Sequence, residues 1–270
     1  MSLDPLLIAE LLALGCVGGF LAGLLGIGGG MLLVPALTFI ASAQGFPADY
    51  VVKMAVATSL ATILFTSLSS VRAHHKRGAV RWDVVKLLAP GVVAGSLLGA
   101  QIAKLLSTKT LALVFAVFVT YSALQMFIDK KPKASRQLPQ GPSMLGAGTV
   151  IGTLSSLVGA GGGFISVPFM AWCNVSIHTA VATSSALGFP IALAGTIGYI
   201  FAGWNLQAGP AGSFGYLYLP ALALIAVTSM LFAPLGAKAA HQLNVRQLKR
   251  VFAGLLFVLA AYMASKGLAG

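Results

Sequence analysis

Residues Leu25–Pro35 read LGIGGGMLLVP, and residues Val158–Pro168 read VGAGGGFISVP. The glycines fall at the same places in both stretches, and the same Val-Pro follows. The pentapeptide AVATS then occurs twice, at Ala55–Ser59 and at Ala180–Ser184. Later still, Gly99–Ala103 (GAQIA) resembles Gly236–Ala240 (GAKAA) in the same order. The offsets are 133 (Gly26 to Gly159), 125 (Ala55 to Ala180) and 137 (Gly99 to Gly236), so the connecting loops differ in length. Recurrence of this kind marks one structural unit used twice. The division falls between residues 1–137 and 138–270, two repeats of one integral membrane domain.

The solvent of that domain follows from its charges. Of 270 residues, 58% are apolar and only 8% are charged, against roughly 25% in an ordinary soluble domain. No Asp, Glu, Lys or Arg occurs from Leu11 to Ala48, from Met54 to Val71, from Leu87 to Ala103, from Thr110 to Ile128, or from Gln137 to Ala237. About 20 apolar residues suffice to cross a bilayer, so the chain is polytopic. Its net charge of +12 is a topology signal, because Lys and Arg collect in cytoplasmic loops; no nucleic-acid partner is expected. Cys16 and Cys173 lie in apolar runs and suggest neither a disulfide framework nor a zinc site. The start carries Asp4 and Glu10 and no basic residue before Lys53, so no cleaved signal peptide is expected.

Each half reads as a glycine-centred hairpin followed by three spans, all helical, because lipid leaves unpaired backbone groups without partners. The first hairpin covers Leu6–Ser42, and its spans are Lys53–Val71, Lys86–Ala103 and Thr110–Ile128. The second hairpin covers Ser143–Asn174, and its spans are His178–Phe201, Tyr216–Lys238 and Val251–Ala264. The arms Met31–Ser42 and Phe164–Asn174 reach only about 18 Å at 1.5 Å per residue, short of the hydrocarbon core. Re-entrant hairpins are therefore favoured, with two full spans per hairpin as the alternative. The expected fold class is all-α, built from two inverted-topology repeats.

Charge orients it. Arg72, Lys76, Arg77, Arg81 and Lys86 fill one loop, whose repeat partner at Gly203–Gly215 is uncharged. Lys130, Lys131, Lys133 and Arg136 fill a second, and Lys238, Arg246, Lys249 and Arg250 a third. Placing these three loops in the cytoplasm puts both termini outside and inverts the halves. Lys104 and Lys109 then lie outside, against the trend.

Candidate site residues follow from the repeat. Gly28, Gly29, Gly30 and their partners Gly161, Gly162, Gly163 each precede an apolar arm whose helix starts with free N–H donors and a partial positive charge. Such ends bind anions, and two of them converge near the midplane if the halves are inverted. The glycines also serve simply to let two arms pass closely. The Thr-Ser pairs Thr58-Ser59 and Thr183-Ser184 offer hydroxyl donors for anion oxygens, or interhelical hydrogen bonds. Lys53 and His178 occupy equivalent positions two residues before AVATS. They read either as gating or proton-relay groups or as side chains at the membrane border. Gly15, Gly19, Gly23 and Gly91, Gly95, Gly99 form small-xxx-small ladders for close helix packing. Trp172, Trp204, Tyr216 and Tyr218 suit interfacial belts. Acid clusters, nucleotide loops and metal-ligand constellations are not read, so neither an enzyme nor a cofactor is expected. An anion is favoured over a cation, which usually needs carboxylates at depth.

These motifs, with Pro190–Tyr199 (PIALAGTIGY) and Leu235–His241 (LGAKAAH), resemble the sulfite exporter TauE/SafE family over nearly the whole chain. The resemblance implies a bacterial inner-membrane carrier that moves sulfite, thiosulfate or organosulfonates, usually outward. The partners expected are a small anionic substrate, the lipid bilayer, a coupling ion (proton or sodium) and a second copy of the chain. A small-anion channel is the nearest rival, and a membrane scaffold a more distant one.

Overall fold

The computed structural model describes residues 4–25, 29–128, 137–139, 141–206, 209–240 and 245–268. Within these residues the chain is helical, in two runs of five. The first run is α1 (Pro5–Leu25), α2 (Gly30–Ala43), α3 (Val51–Lys76), α4 (Trp82–Leu105) and α5 (Thr108–Ile128). The second is α6 (Pro142–Val158), α7 (Gly163–Trp172), α8 (Ile177–Ala202), α9 (Leu219–Ala240) and α10 (Val245–Leu268). Each predicted hairpin is thus a helix pair, and each predicted span a single helix. A short antiparallel pair, β1 (Ser213–Phe214) and β2 (Leu217–Tyr218), lies between α8 and α9. The sequence reading did not anticipate it. Seven helices are long and apolar enough to cross a membrane: α1, α3, α4, α5, α8, α9 and α10. The shorter three are all hairpin arms: α2 with 14 residues, α6 with 17 and α7 with 10.

The helices pack by exchange between the halves. Counting within each run, the first helix of either half lies against the fourth of the other: α1 on α9, and α6 on α4. The third helices α3 and α8 face each other, as do the fifth helices α5 and α10. Helices α3 and α8 are the most buried of the long helices and form the centre.

The glycine ladders explain the closest interfaces. A Cβ on Gly15 would lie 2.9 Å from the Ile225 backbone, and one on Gly19 2.4 Å from the Ser229 Cα. In the other half a Cβ on Gly148 would lie 2.5 Å from the Leu88 carbonyl, and one on Gly152 2.2 Å from the Val92 carbonyl. Gly148 and Gly152 are Gly15 and Gly19 shifted by 133, and Ile225 and Ser229 are Leu88 and Val92 shifted by 137. The repeat therefore extends from sequence to individual packing partners. Gly91, Gly95 and Gly99 on α4 meet Leu145, Thr149 and Thr153 on α6 in the same way.

Close backbones also allow hydrogen bonds across the interfaces. Ser229 donates to the Gly15 carbonyl at 3.0 Å, and Thr153 to the Gly95 carbonyl at 3.1 Å. In lipid, where apolar burial gives helices little reason to associate, such packing and polar contacts hold the bundle together.

Candidate functional site

The second hairpin turns between α6 and α7 in four residues, Gly159–Gly162. Gly159 ends α6 at φ +67 and Gly162 begins α7 at φ +77. Both angles are left-handed, the region that glycine enters without steric cost. The Gly162 carbonyl then accepts from the N–H groups of Ile165 at 3.1 Å and Ser166 at 2.9 Å. The first hairpin repeats this: the Gly29 carbonyl accepts from Leu32 and Leu33, both at 3.1 Å. Gly29 stands at φ 10 rather than in the left-handed region, so α2 and α7 share this acceptor pattern but not the N-cap conformation; each leaves its first N–H groups without intrahelical acceptors. Gly28 lies outside the described residues.

The two tips touch. A Cβ on Gly30 would lie 2.4 Å from the Gly159 carbonyl oxygen and 3.1 Å from the Ala160 Cα. Gly161 sits beside Ile63 of α3 and Gly188 of α8. The second tip is thus held between the two central helices, and the start of α2 abuts it. Of the predicted glycines, Gly30 meets the second tip at Gly159 and Ala160, whereas Gly29 packs against Gly18 and Ala22 of its own hairpin and Gly162 against Ile191 and Ser155.

The AVATS segments lie where α3 and α8 pass these tips, and their serines reach them. Ser59 donates to the Gly159 carbonyl at 2.9 Å. Ser166 donates to the Gly162 carbonyl at 2.9 Å, and its hydroxyl lies 2.7 Å from that of Ser184. All three serines are buried.

The threonines are engaged elsewhere. Thr58 accepts from the backbone N–H of Tyr218 at 3.2 Å, and Thr183 accepts from that of Arg81 at 3.1 Å. Arg81 and Tyr218 are themselves equivalent, 137 positions apart. Each threonine thus pins the loop between the third and fourth helices of the opposite half. Thr183→Val is expected to cost about 1–3 kcal/mol, since it strands a backbone donor, whereas Thr183→Ser keeps the acceptor. Thermal melts of the two variants check this: a Val variant as stable as the wild type would remove the pin.

Lys53 and His178 diverge despite their equivalent positions. Lys53 is buried and donates to the Lys104 carbonyl in the last turn of α4 at 3.2 Å. A cation is favoured there by the negative end of the helix dipole. Its ammonium also lies 5.8 Å from the centre of the Tyr216 ring, within cation–π range. His178 is exposed in the first turn of α8. Tyr216 is buried against Lys53 and Tyr199. Trp172 and Trp204 are exposed, as a belt requires. Among the described residues no cluster of three His, Cys, Asp or Glu side chains is placed to hold a metal ion.

The arrangement places two helix starts and several hydroxyls together, with Lys53 held at the end of α4.

Comparison with known proteins agrees with a transport role. A probable membrane transporter protein of Haemophilus influenzae is 36% identical over 94% of this chain and 97% of its own length. Another, from Methanocaldococcus jannaschii, is 29% identical over 96% of each chain. A third, YunE of Bacillus subtilis, is 28% identical over 72% of this chain and 78% of its own. No solved structure matches. The model of the sulfite exporter TauE/SafE family matches residues 11–263, and the chain belongs to that family of multi-pass membrane proteins.

Proposed function

We propose that the chain is a secondary transporter, working outward, for small sulfur oxyanions such as sulfite or thiosulfate, or for organosulfonates. The observation that carries this reading is the contact of Gly30 with Gly159 and Ala160, which brings the start of α2 beside the glycine tip that begins α7. A bare anion in low dielectric is costly, and oriented N–H groups with hydroxyls replace part of its hydration. An odd number of helices per half, with packing partners exchanged between halves, favours inverted repeats and alternating access about the α3–α8 centre. In this reading the short arms α2 and α7 are re-entrant. The basic loops face the cytoplasm of a bacterial inner membrane, with both termini outside.

Proteoliposome flux is the test. Sulfite, thiosulfate, taurine and sulfoacetate are compared with inorganic cations, with and without proton and sodium gradients. Flux of at least one sulfur anion, coupled to a gradient in fixed stoichiometry, is expected. Movement of none of them removes the reading, and uncoupled flux converts the carrier into a channel. In the same vesicles, single cysteines at Arg77 and Ser213, with the native cysteines replaced, are expected to be labelled from opposite sides. Labelling of both from one side overturns the orientation.

A further inference from the structure

The starts of α2 and α7 share a glycine carbonyl that accepts from the first turn but differ in the side chains around them. Ser155, Ser156 and Thr196 are buried, with relative exposures of 1%, 0% and 6%, and their hydroxyls have no hydrogen-bond partner among the described residues. This is unusual for a hydroxyl on a helix, which normally donates to the carbonyl one turn back. Thr120, Ser122, Thr149 and Ser185 all do so in this chain. An unpartnered buried hydroxyl costs stability and calls for a reason.

Position supplies one. The Ser155 hydroxyl lies 3.2 Å from where a Cβ on Gly162 would stand, and Gly162 is the residue on which α7 starts. Ser156, its neighbour, lies 3.5 Å from the corresponding point on Gly195 of α8, one residue before Thr196. In the first half the equivalents, by the offsets of the repeat, are Ala22, Gly23 and Val71, and that of Ser166 is Leu33. The start of α2 has no such side-chain hydroxyl at the equivalent place: a Cβ on Gly29 would meet the Gly18 carbonyl oxygen at 3.2 Å and the Ala22 methyl at 3.5 Å. The recess beside it is lined by Leu21, Met31, Phe164 and Phe252.

We propose that the transported oxyanion binds at the second hairpin tip alone, held by the Ser155 hydroxyl and the first N–H groups of α7, while the start of α2 lacks such a hydroxyl and binds no anion. This rests on the transport reading above. The residues facing Ser155 and Ser156, namely Ile151, Gly162, Ile191 and Gly195, carry no charge. The ligand is therefore one whose charge neutral donors can balance, a monoanion such as a sulfonate or hydrogensulfite in preference to a dianion. Desolvation rises steeply with charge, and these neutral neighbours do not offset it.

The test is a thermal-shift and equilibrium-binding series on the purified full chain in detergent, with sulfite, methanesulfonate and sulfate as probes. Wild-type protein is expected to gain melting temperature with sulfite and methanesulfonate and to bind sulfate at least tenfold more weakly. Ser155→Ala is expected to melt no lower than wild type without ligand, because an unpartnered group is removed, and to lose at least tenfold in affinity for methanesulfonate. Ala22→Ser, on the equivalent first-half position, is expected to bind as wild type does.

A Ser155→Ala variant that melts lower but binds normally makes the serine structural and overturns the assignment. So does an equal loss of affinity in Ala22→Ser. Sulfate binding as tight as methanesulfonate overturns the charge preference. Wild-type protein that binds and moves none of the sulfur anions overturns the transport reading itself, an outcome distinct from binding that survives Ser155→Ala.

Discussion

Gly95→Val and Gly19→Val are each expected to leave no monodisperse folded protein after detergent extraction, although both chains insert into the membrane. Insertion follows the apolarity of each helix, which valine does not reduce. Assembly follows the approach of backbones. A Cβ on Gly95 would stand 2.1 Å from the Thr149 carbonyl oxygen, and one on Gly19 2.5 Å from the Ser229 carbonyl oxygen. These obstacles are main chain, so no rotamer change relieves them, and the helices must separate. Separation breaks the hydrogen bonds from Thr153 to Gly95 and from Ser229 to Gly15 along with the van der Waals contact. Overpacking alone costs about 1–3 kcal/mol, and lost packing along the whole interface adds to it. Gly146→Val and Gly254→Val are the controls, because a Cβ at either position meets nothing within 4 Å. A single symmetric size-exclusion peak for Gly95→Val would show that the ladder is not what seats α4 on α6.

The packing face of α4 is legible in the sequence, because glycine at every fourth position has one common use in lipid. The helices were legible for a related reason: water is absent, so an apolar run becomes a helix whatever its intrinsic propensity. Lys53–Val71 grew only to Val51–Lys76, and His178–Phe201 to Ile177–Ala202. What the repeat could not reveal was the partner of each ladder, since periodicity defines a face and not its neighbour. The strands at Ser213–Phe214 and Leu217–Tyr218 were hidden because two-residue strands carry no period to detect.

The site divides along the same line. Glycine triplets in an apolar context announce two sharp turns; the second is present at Gly159–Gly162, and residues 26–28 of the first lie outside the described residues. That the tips touch could not be read, because it depends on how α2 and α6 lie across α3. Thr58 and Thr183 looked like substrate contacts because they repeat. They repeat equally well as pins on equivalent loops, since a symmetric joint conserves its bolts as strictly as its ligands. The charge of Lys53 suggests a side chain at the membrane border or a gating group, and its partner, the Lys104 carbonyl at the end of α4, is not something the sequence reveals. Ser155 and Ser156 went unnoticed for the opposite reason: they are the residues that break the repeat. Comparing the halves for differences, after aligning them for likeness, was the signal that would have found them.

The second large effect is expected at the contact between the tips. Gly30→Ala adds one methyl whose carbon would stand 2.4 Å from the Gly159 carbonyl oxygen, 3.0 Å from Ile63 and 3.1 Å from the Ala160 Cα. Ile63 can turn away, but the other two atoms are backbone. The start of α2 must therefore move off the second tip by about an ångström. That shift also disturbs the Gly159 carbonyl held by Ser59. A misplacement of this size in a preorganised site costs roughly a hundredfold in rate, so flux is expected to fall by about that factor.

The fold should survive, because alanine suits the first turn of a helix better than glycine does and α2 has no ladder of its own. Gly29→Ala is the comparison that isolates the cause. Its methyl would meet the Gly18 carbonyl at 3.2 Å and the Ala22 methyl at 3.5 Å, a mild crowding within its own hairpin. Its flux is expected to stay within about tenfold of wild type, a loss of roughly 1.4 kcal/mol or less. Ile63→Ala combined with Gly30→Ala should not restore flux, since the obstruction is main chain. Equal flux from Gly30→Ala and wild type would separate the contact of the tips from transport, and the pathway would then have to run elsewhere than between α2 and the Gly159–Gly162 turn.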